Sequence, residues 1–398
     1  MNVRPSLLLP LLLLALLTTP PALSRAADCL TAGCHPQLDV QKNQHQPFAD
    51  QECDACHRPL PGAHPDKNVA NFELAAKGAE LCWQCHDDAP ARQAYLHGPV
   101  AVGQCTACHD PHRSAEKKLL KKPVRQLCLS CHVDFRAIDQ AKVTHPPVRE
   151  EACTACHQPH GSPAPNLLAS EQPGVCIKCH DRIGSTMEKA KTKHPPLYGK
   201  NSCGGCHSSH YSDQAGLLAF DQQTLCLTCH GKGGSGSRKL RNIAADLEKK
   251  KFLHGPVQEG QCDACHAPHG SDSFRLLNGP YPDSFYAPYK SGSYDLCLQC
   301  HEKNLLRYPE TSIYTKFRNG KQNLHYLHVA DPRKGRSCRA CHEAHASEGE
   351  KLISLEGSKF GDWKIPVRFA STPSGGSCAP GCHRELGYDR ETPVDYAK

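Results

Sequence analysis

The sequence predicts a mostly irregular chain with short α-helices and little or no β-sheet, wrapped around an interior the polypeptide does not itself supply. Three observations lead there. All 26 cysteines fall into thirteen pairs, and in each pair the second cysteine is followed by histidine. Hydrophobic residues reach only 38% with those cysteines counted, and aromatics only 6%. A unit of roughly fifty residues recurs along the chain, the mark of a repeat architecture.

The cysteine pairs, numbered as sites 1 to 13 in chain order, carry the chemistry. Site 1 is Cys29/Cys34/His35, with four residues between the cysteines. Sites 2 to 7 are Cys53/Cys56/His57, Cys82/Cys85/His86, Cys105/Cys108/His109, Cys128/Cys131/His132, Cys153/Cys156/His157 and Cys176/Cys179/His180. Sites 8 to 12 are Cys203/Cys206/His207, Cys226/Cys229/His230, Cys262/Cys265/His266, Cys297/Cys300/His301 and Cys338/Cys341/His342. Site 13, Cys378/Cys382/His383, has three spacers. Cys-x-x-Cys-His is the signature of c-type haem attachment. Two thiols on one tight turn reach two vinyl groups of one porphyrin, and the adjacent imidazole is held under the iron as its proximal ligand. A zinc ribbon needs pairs of cysteine pairs and gives no reason for each histidine. A disulfide scaffold has no use for them either. The expected cofactor is haem c, about thirteen copies covalently attached. The stretched end motifs are the least regular members.

Each iron needs a sixth ligand unless it binds substrate. The 26 histidines leave thirteen after the proximal ones are removed. One set precedes an attachment motif by eight to ten residues: His45, His97, His145, His194, His254 and His328. A second set mostly follows a proximal histidine by three: His112, His160, His210, His269 and His345, with His64 at a longer offset. His325 completes the thirteen. A histidine three residues past the proximal one lies on the same side of that haem, so a neighbouring haem is its expected partner. Methionine does not compete, because Met1 sits in a leader segment and Met187 reads as a packing residue on a short helix. Bis-histidine ligation throughout, and hence low potentials, is the expectation. No catalytic residue is assigned.

The repeat unit runs Leu-Cys-x-x-Cys-His, short helix, His-x-Pro, Cys-x-x-Cys-His-x-x-His, loop, Leu-Leu. Residues 82, 128, 176 and 226 begin successive motifs of one class at spacings of 46, 48 and 50. Later spacings stretch to 71 and 81 through insertions around Tyr281–Tyr294 and Lys303–Leu324. Short helices are expected over Phe135–Val143, Ile183–Lys193 and Arg241–Leu253. Residues 1–26 read as a signal peptide, with Arg4, an apolar run from Leu7 to Leu17 and the small-x-small step Ser24-Arg25-Ala26. That run is too short for a membrane span. Residues 27–230 carry nine sites, 231–237 form a Gly/Ser linker, and 238–398 carry four sites. The formal charge is +7. With the leader removed and haem propionates counted, the oxidised holoprotein comes to about −8 and the reduced form to about −21. That balance argues against a nucleic-acid partner.

Cys153-to-Leu168 (CTACHQPHGSPAPNLL) followed by Val175-to-His180 (VCIKCH) resembles the doubled CXXCH motif family of multihaem c-type cytochromes. Cys262-to-Leu277 with Leu296-to-His301 matches the pattern again. The resemblance implies an electron carrier, similar to the periplasmic decahaem cytochromes of porin–cytochrome conduits. Thirteen sites depart from ten. The implied partners are other redox proteins, among them an outer-membrane porin and a surface cytochrome, and the implied location is the periplasm or the cell surface. A multihaem oxidoreductase with one open haem is the enzyme alternative; no Cys-x-x-Cys-Lys occurs to support it. A subunit of an extracellular conductive filament is the structural alternative.

Overall fold

The computed structural model describes residues 41–61, 71–233, 240–355 and 357–396. The leader and residues 234–239 of the expected linker region lie outside the described residues. So do Cys29, Cys34 and His35 of site 1, together with His64. The described chain is mostly irregular, with short α-helices, three-residue 3-10 turns and small antiparallel pairings. Two units are distinguished, one of residues 1–133 with 158–167 and one of residues 134–157 with 168–398. The first holds sites 2 to 5 and the second sites 6 to 13. On the two sides of residues 231–237, within the second unit, Thr192 pairs with Ser271.

Even-numbered and odd-numbered sites are built differently. The even motifs coil into 3-10 turns, as at Cys105–Ala107, Cys262–Ala264 and Cys338–Ala340. The odd motifs of sites 3 to 11 sit on short α-helices, such as Val124–Leu129 and Gln222–His230. Both forms bring the histidine amide back onto the first cysteine's carbonyl, at 3.1 Å in site 4 and 3.0 Å in site 5. One turn of either helix therefore sets two thiols and an imidazole on one face.

The histidines that precede even motifs cap short helices. His45, His97, His145 and His254 hold an extended backbone (φ −60 to −70°, ψ 130 to 137°) at the N-cap of a four-residue helix with proline in its first turn. Proline's fixed φ suits that position and its missing N–H costs nothing there. Those helices then stop on left-handed residues. Gly103 and Gly260 take φ of 71° and 73°, while Gln51 and Glu151 take φ of 60° and 61° without glycine's freedom.

The expected helices are shorter than the sequence suggested. Val133–Gln140 is a 3-10 helix, and the α-helices are Asp181–Lys189 and Ile243–Lys249. Each stops before the upstream histidine, because the intervening residues pair with another strand. Val143–Thr144 joins Tyr211–Ser212, Thr192 bridges Ser271, and Phe252–Leu253 joins Ala346–Ser347.

Side chains close little core on themselves. The polypeptide exposes 28000 Å², where a compactly folded chain of 398 residues exposes about 15,000 Å². The hydrophobic cluster among the described residues centres on Tyr294, Leu306 and Val329, packed with Tyr281 and Tyr289. The two insertions seen in the sequence build it. Beyond them, Ala370–Ser371, Gly375–Cys378 and Leu386–Asp389 form a three-stranded sheet that carries site 13.

Candidate haem-binding sites

Ten proximal histidines each face a second histidine ring, stacked within 29° of parallel at 5.8 to 6.4 Å between centroids. The pairs follow a rule. The histidine upstream of an even motif faces the proximal histidine of the next motif: His45 with His86, His97 with His132, His145 with His180, His194 with His230 and His254 with His301. The histidine downstream of an even motif faces the proximal histidine two motifs earlier: His112 with His57, His160 with His109, His210 with His157, His269 with His207 and His345 with His266. The expected neighbour is thus the next-but-one site, not the adjacent one.

At the C-terminal end His325 lies within electrostatic reach of His342 of site 12, and His328 of His383 of site 13. The His328 ring stacks on Phe317 at 5.8 Å.

Backbone pairing places these rings. His45 donates its amide to the His112 carbonyl (2.8 Å), His97 to His160 (3.2 Å), His145 to His210 (3.0 Å) and His254 to His345 (3.0 Å). Two-residue antiparallel ladders continue each contact, for example Asn43–Gln44 with Arg113–Ser114. One ladder thereby places two of these second rings at once. Nδ1 of the upstream ring rests on a carbonyl of the partner segment, as with His45 on Pro111 (2.9 Å) and His254 on Ala344 (3.1 Å). Such a contact selects the tautomer that leaves Nε2 free to bind metal.

The Leu-Leu element of the repeat orients the even proximal rings. Lys118–Leu119, Asn166–Leu167, Gly216–Leu217, Arg275–Leu276 and Lys351–Leu352 are consecutive left-handed residues, with φ of 54 to 64°. The carbonyl of the first accepts from Nδ1 of the proximal histidine at 2.8 to 3.0 Å in sites 4, 8, 10 and 12. Left-handed geometry costs a non-glycine residue about 1–2 kcal/mol, a strain offset by the ring's hydrogen bond and by serine. Ser212 and Ser347 donate their hydroxyls to the carbonyls of Leu218 (2.5 Å) and Ile353 (2.6 Å).

The attachment thiols, alike in the sequence, divide into two classes in the structure. At even sites the second cysteine (Cys56, Cys108, Cys156, Cys206, Cys265 or Cys341) is half-buried. The chain returns over it, and its carbonyl accepts the amide of Ala75, Lys121, Ala169, Ala219, Asn278 or Ser354 at 2.8 to 2.9 Å. At odd sites the second cysteine is exposed on the polypeptide. These are Cys85, Cys131, Cys179, Cys229, Cys300 and Cys382. The physical reason is local. The odd motifs of sites 3 to 11 sit on short helices and that of site 13 follows a strand, without the Leu-Leu return that follows an even motif. Cys85 and Cys300 thus keep the one-turn spacing to their partners Cys82 and Cys297 but lack protein cover. Cys34, the second thiol of site 1, belongs to neither class because it lies outside the described residues.

The attachment sulfurs run in chain order within each unit. Cys82 of site 3 is in hydrogen-bond contact with Cys105 of site 4 and close to Cys56 of site 2, and Cys108 is close to Cys131 of site 5. In the second unit Cys156 is close to Cys179, Cys176 touches Cys203 and Cys206 is close to Cys229. Cys226 touches Cys262, Cys265 is close to Cys297 and Cys300, Cys297 touches Cys338, and Cys341 is close to Cys382. Burial and the neighbouring sulfur push the Cys82 thiol up to about 11 and Cys176 to about 12. Burial also lowers the His325 and His345 imidazoles to about 4. Neutral imidazole is the form that binds iron.

These residues fit haem c. A metal–imidazole bond of about 2.0 Å on each side puts two coaxial ring centroids roughly 6 Å apart, the separation observed. The histidines meet in twos, and among the described residues no group of three or more His, Cys, Asp or Glu is poised to hold a metal ion alone. None of the described cysteines is in a disulfide. The doubled CXXCH motif model matches residues 45–91, 97–137, 145–184, 194–234 and 254–305, over half the chain. The chain belongs to the doubled CXXCH motif family. It binds several c-type haems covalently. Each matched segment opens on an upstream histidine and closes just past an odd site, so the family unit is one interlocking pair of sites. The segment from His328 to His383 repeats that plan outside the matched residues. Its stretched second motif and its insertions hide it from a repeat pattern.

Among relatives, multiheme cytochrome MtrA of Shewanella baltica is 28% identical over 124 residues, 29% of this chain and 36% of that protein. The high-molecular-weight cytochrome c of Nitratidesulfovibrio vulgaris is 28% identical over 125 residues, 27% of this chain and 22% of that protein. The alignments thus span about a third and less than a quarter of these relatives. Among the described residues no helix is long and apolar enough to cross a membrane.

Proposed function

We propose that this protein transfers electrons along about thirteen covalently bound bis-histidine c-type haems, and that it is an electron carrier rather than an enzyme. The observation that carries the reading is the set of stacked imidazole pairs: ten, extended to sites 12 and 13 by His325 and His328. Haem c, when bound, supplies a one-electron iron(III)/iron(II) couple. The chain's own residues do the rest. Paired cysteines anchor each group, the exposed Cys85 and Cys300 included. The proximal and second histidines occupy both axial positions, leaving no coordination place for a substrate. Left-handed turns fix the tautomer of proximal rings at even sites, and carbonyls beside the ladders fix that of second rings at odd sites, so the ligand shell need not rearrange as charge changes. Successive attachment motifs within each unit lie side by side, which favours close spacing of the groups they carry.

We further propose that Cys29 and Cys34 anchor a haem at site 1 and that His64, one motif downstream rather than two, serves His35 there. The proposed setting is export to the periplasm, with redox proteins on either side and an outer-membrane porin and surface cytochrome as acceptors. Low-temperature EPR of the intact oxidised protein, with carbon monoxide added after reduction, tests the closed-ligation claim. Low-spin signals alone and no adduct are expected, whereas a high-spin signal or an adduct overturns it. Mass spectrometry of the holoprotein should give thirteen haems, and a smaller number refutes that count.

A further inference from the structure

The two histidines of the helix Leu324–Val329 are held unlike the second ligands before them. There, the rings of adjacent sites come from separate segments clamped by a ladder; here one short helix carries both His325 and His328. At odd sites the second ring rests Nδ1 on a main-chain carbonyl, as with His145 on Ser209 (3.0 Å) and His328 on Leu324 (2.7 Å), and the proximal His342 does the same on Lys351 (3.0 Å). His325 departs from this, because its Nδ1 meets the Thr315 hydroxyl at 2.9 Å.

Thr315 is itself built in. It is buried to 9% exposure, and its Oγ1 also accepts the Phe317 amide at 3.0 Å. That second bond folds the loop so that the Phe317 ring lies edge-on to His325 at 5.1 Å. Both belong to the insertion between sites 11 and 12 that separates this repeat from the others.

We infer that Thr315 is the positioning residue for the second axial ligand of site 12, holding through its hydroxyl a ring that the other even sites carry on a ladder segment. A hydroxyl with two accepted bonds keeps Nδ1 protonated and Nε2 directed at the iron. Without it, His325 stays on its helix but its ring loses both orientation and hydrogen-bond partner. This inference rests on the bis-histidine reading.

Carbon monoxide titration of the reduced holoprotein tests it, because the gas competes with the second histidine for iron. Losing such a partner weakens a metal ligand by about 10–100-fold. Thr315→Val should therefore raise carbon monoxide affinity at one haem by that factor and shift one low-spin EPR signal. Thr315→Ser, which keeps the hydroxyl, should match the parent protein. His325→Ala separates the two layers by opening one haem fully. An opened haem in His325→Ala with parent-like behaviour in Thr315→Val overturns the role of Thr315 and leaves the ligation intact. No opened haem in His325→Ala overturns the ligation itself. Should Thr315→Val lose haem on maturation, Thr315→Ser decides: full haem content supports the hydroxyl, and the same loss refutes it.

Discussion

His112 lies three residues beyond the proximal histidine of site 4, yet its ring faces His57 of site 2. That distinction was half legible in the sequence. Thirteen spare histidines and their two recurring positions could be counted, and the same-side argument showed that His112 serves another site. Which site could not be read, because the answer depends on a backbone ladder between segments some seventy residues apart. The contrast between covered thiols such as Cys108 and exposed ones such as Cys85 and Cys300 was hidden too, since the motif reads the same in both classes. The serine that supports each Leu-Leu turn was not read either, since one serine in a polar loop gives no signal. Ser347 is buried, donates to Ile353 and accepts from Gly349. Ser347→Ala should cost about 1–3 kcal/mol of stability, the penalty for buried groups left unpaired, measured by thermal denaturation of the holoprotein. Asp389 gives a pH prediction. The Ser374 hydroxyl and the Thr392 and Glu391 amides hold its carboxyl below the ordinary range. Its folded value lies under its unfolded value, so its contribution is present above the ordinary carboxylate pKa of about 4 and is lost as pH falls through the folded value. Protection factors for amides in the sheet around Cys378, corrected for the intrinsic exchange rate, should fall on acidification below about pH 4, and Asp389→Asn should flatten that dependence.

The ladder is the element that joins one repeat to the next. The expected helices before His145, His194 and His254 were partly right: helix forms, then yields to two or three extended residues that pair across the repeat boundary. Helical periodicity could not show this, since the pairing partner is remote in sequence. The left-handed Leu-Leu turns were equally hidden, as only Gly216 advertises that conformation. Ladder packing leaves no room at Gly161, where an added Cβ would come 2.4 Å from the Pro90 carbonyl. Gly161→Ala should therefore displace the ladder that bears His97 and His160. The expected result is two altered low-spin EPR signals, from sites 4 and 5, with the other signals unmoved. A change confined to one haem would mean that the two rings are fixed independently.

The whole chain exposes far more surface than its length requires, so its fold depends on what its cysteines and histidines hold. Composition made that legible, and the family match over half the chain agrees with it. Protein produced without haem attachment should be largely unfolded, with weak far-ultraviolet dichroism and rapid proteolysis, as expected where ligand binding supplies the folding energy. In the proposed ligation each interior repeat also completes sites in its neighbours, and the helix Leu324–Val329 supplies His325. The most direct test of this interlocked ligation is a density map of the holoprotein that resolves both axial ligands of every iron. The account predicts His57 and His112 on the iron of site 2, His86 and His45 on that of site 3, and the same alternation through His266 and His345. An iron of an even site bound by a second histidine from its own repeat, or by none, would contradict it.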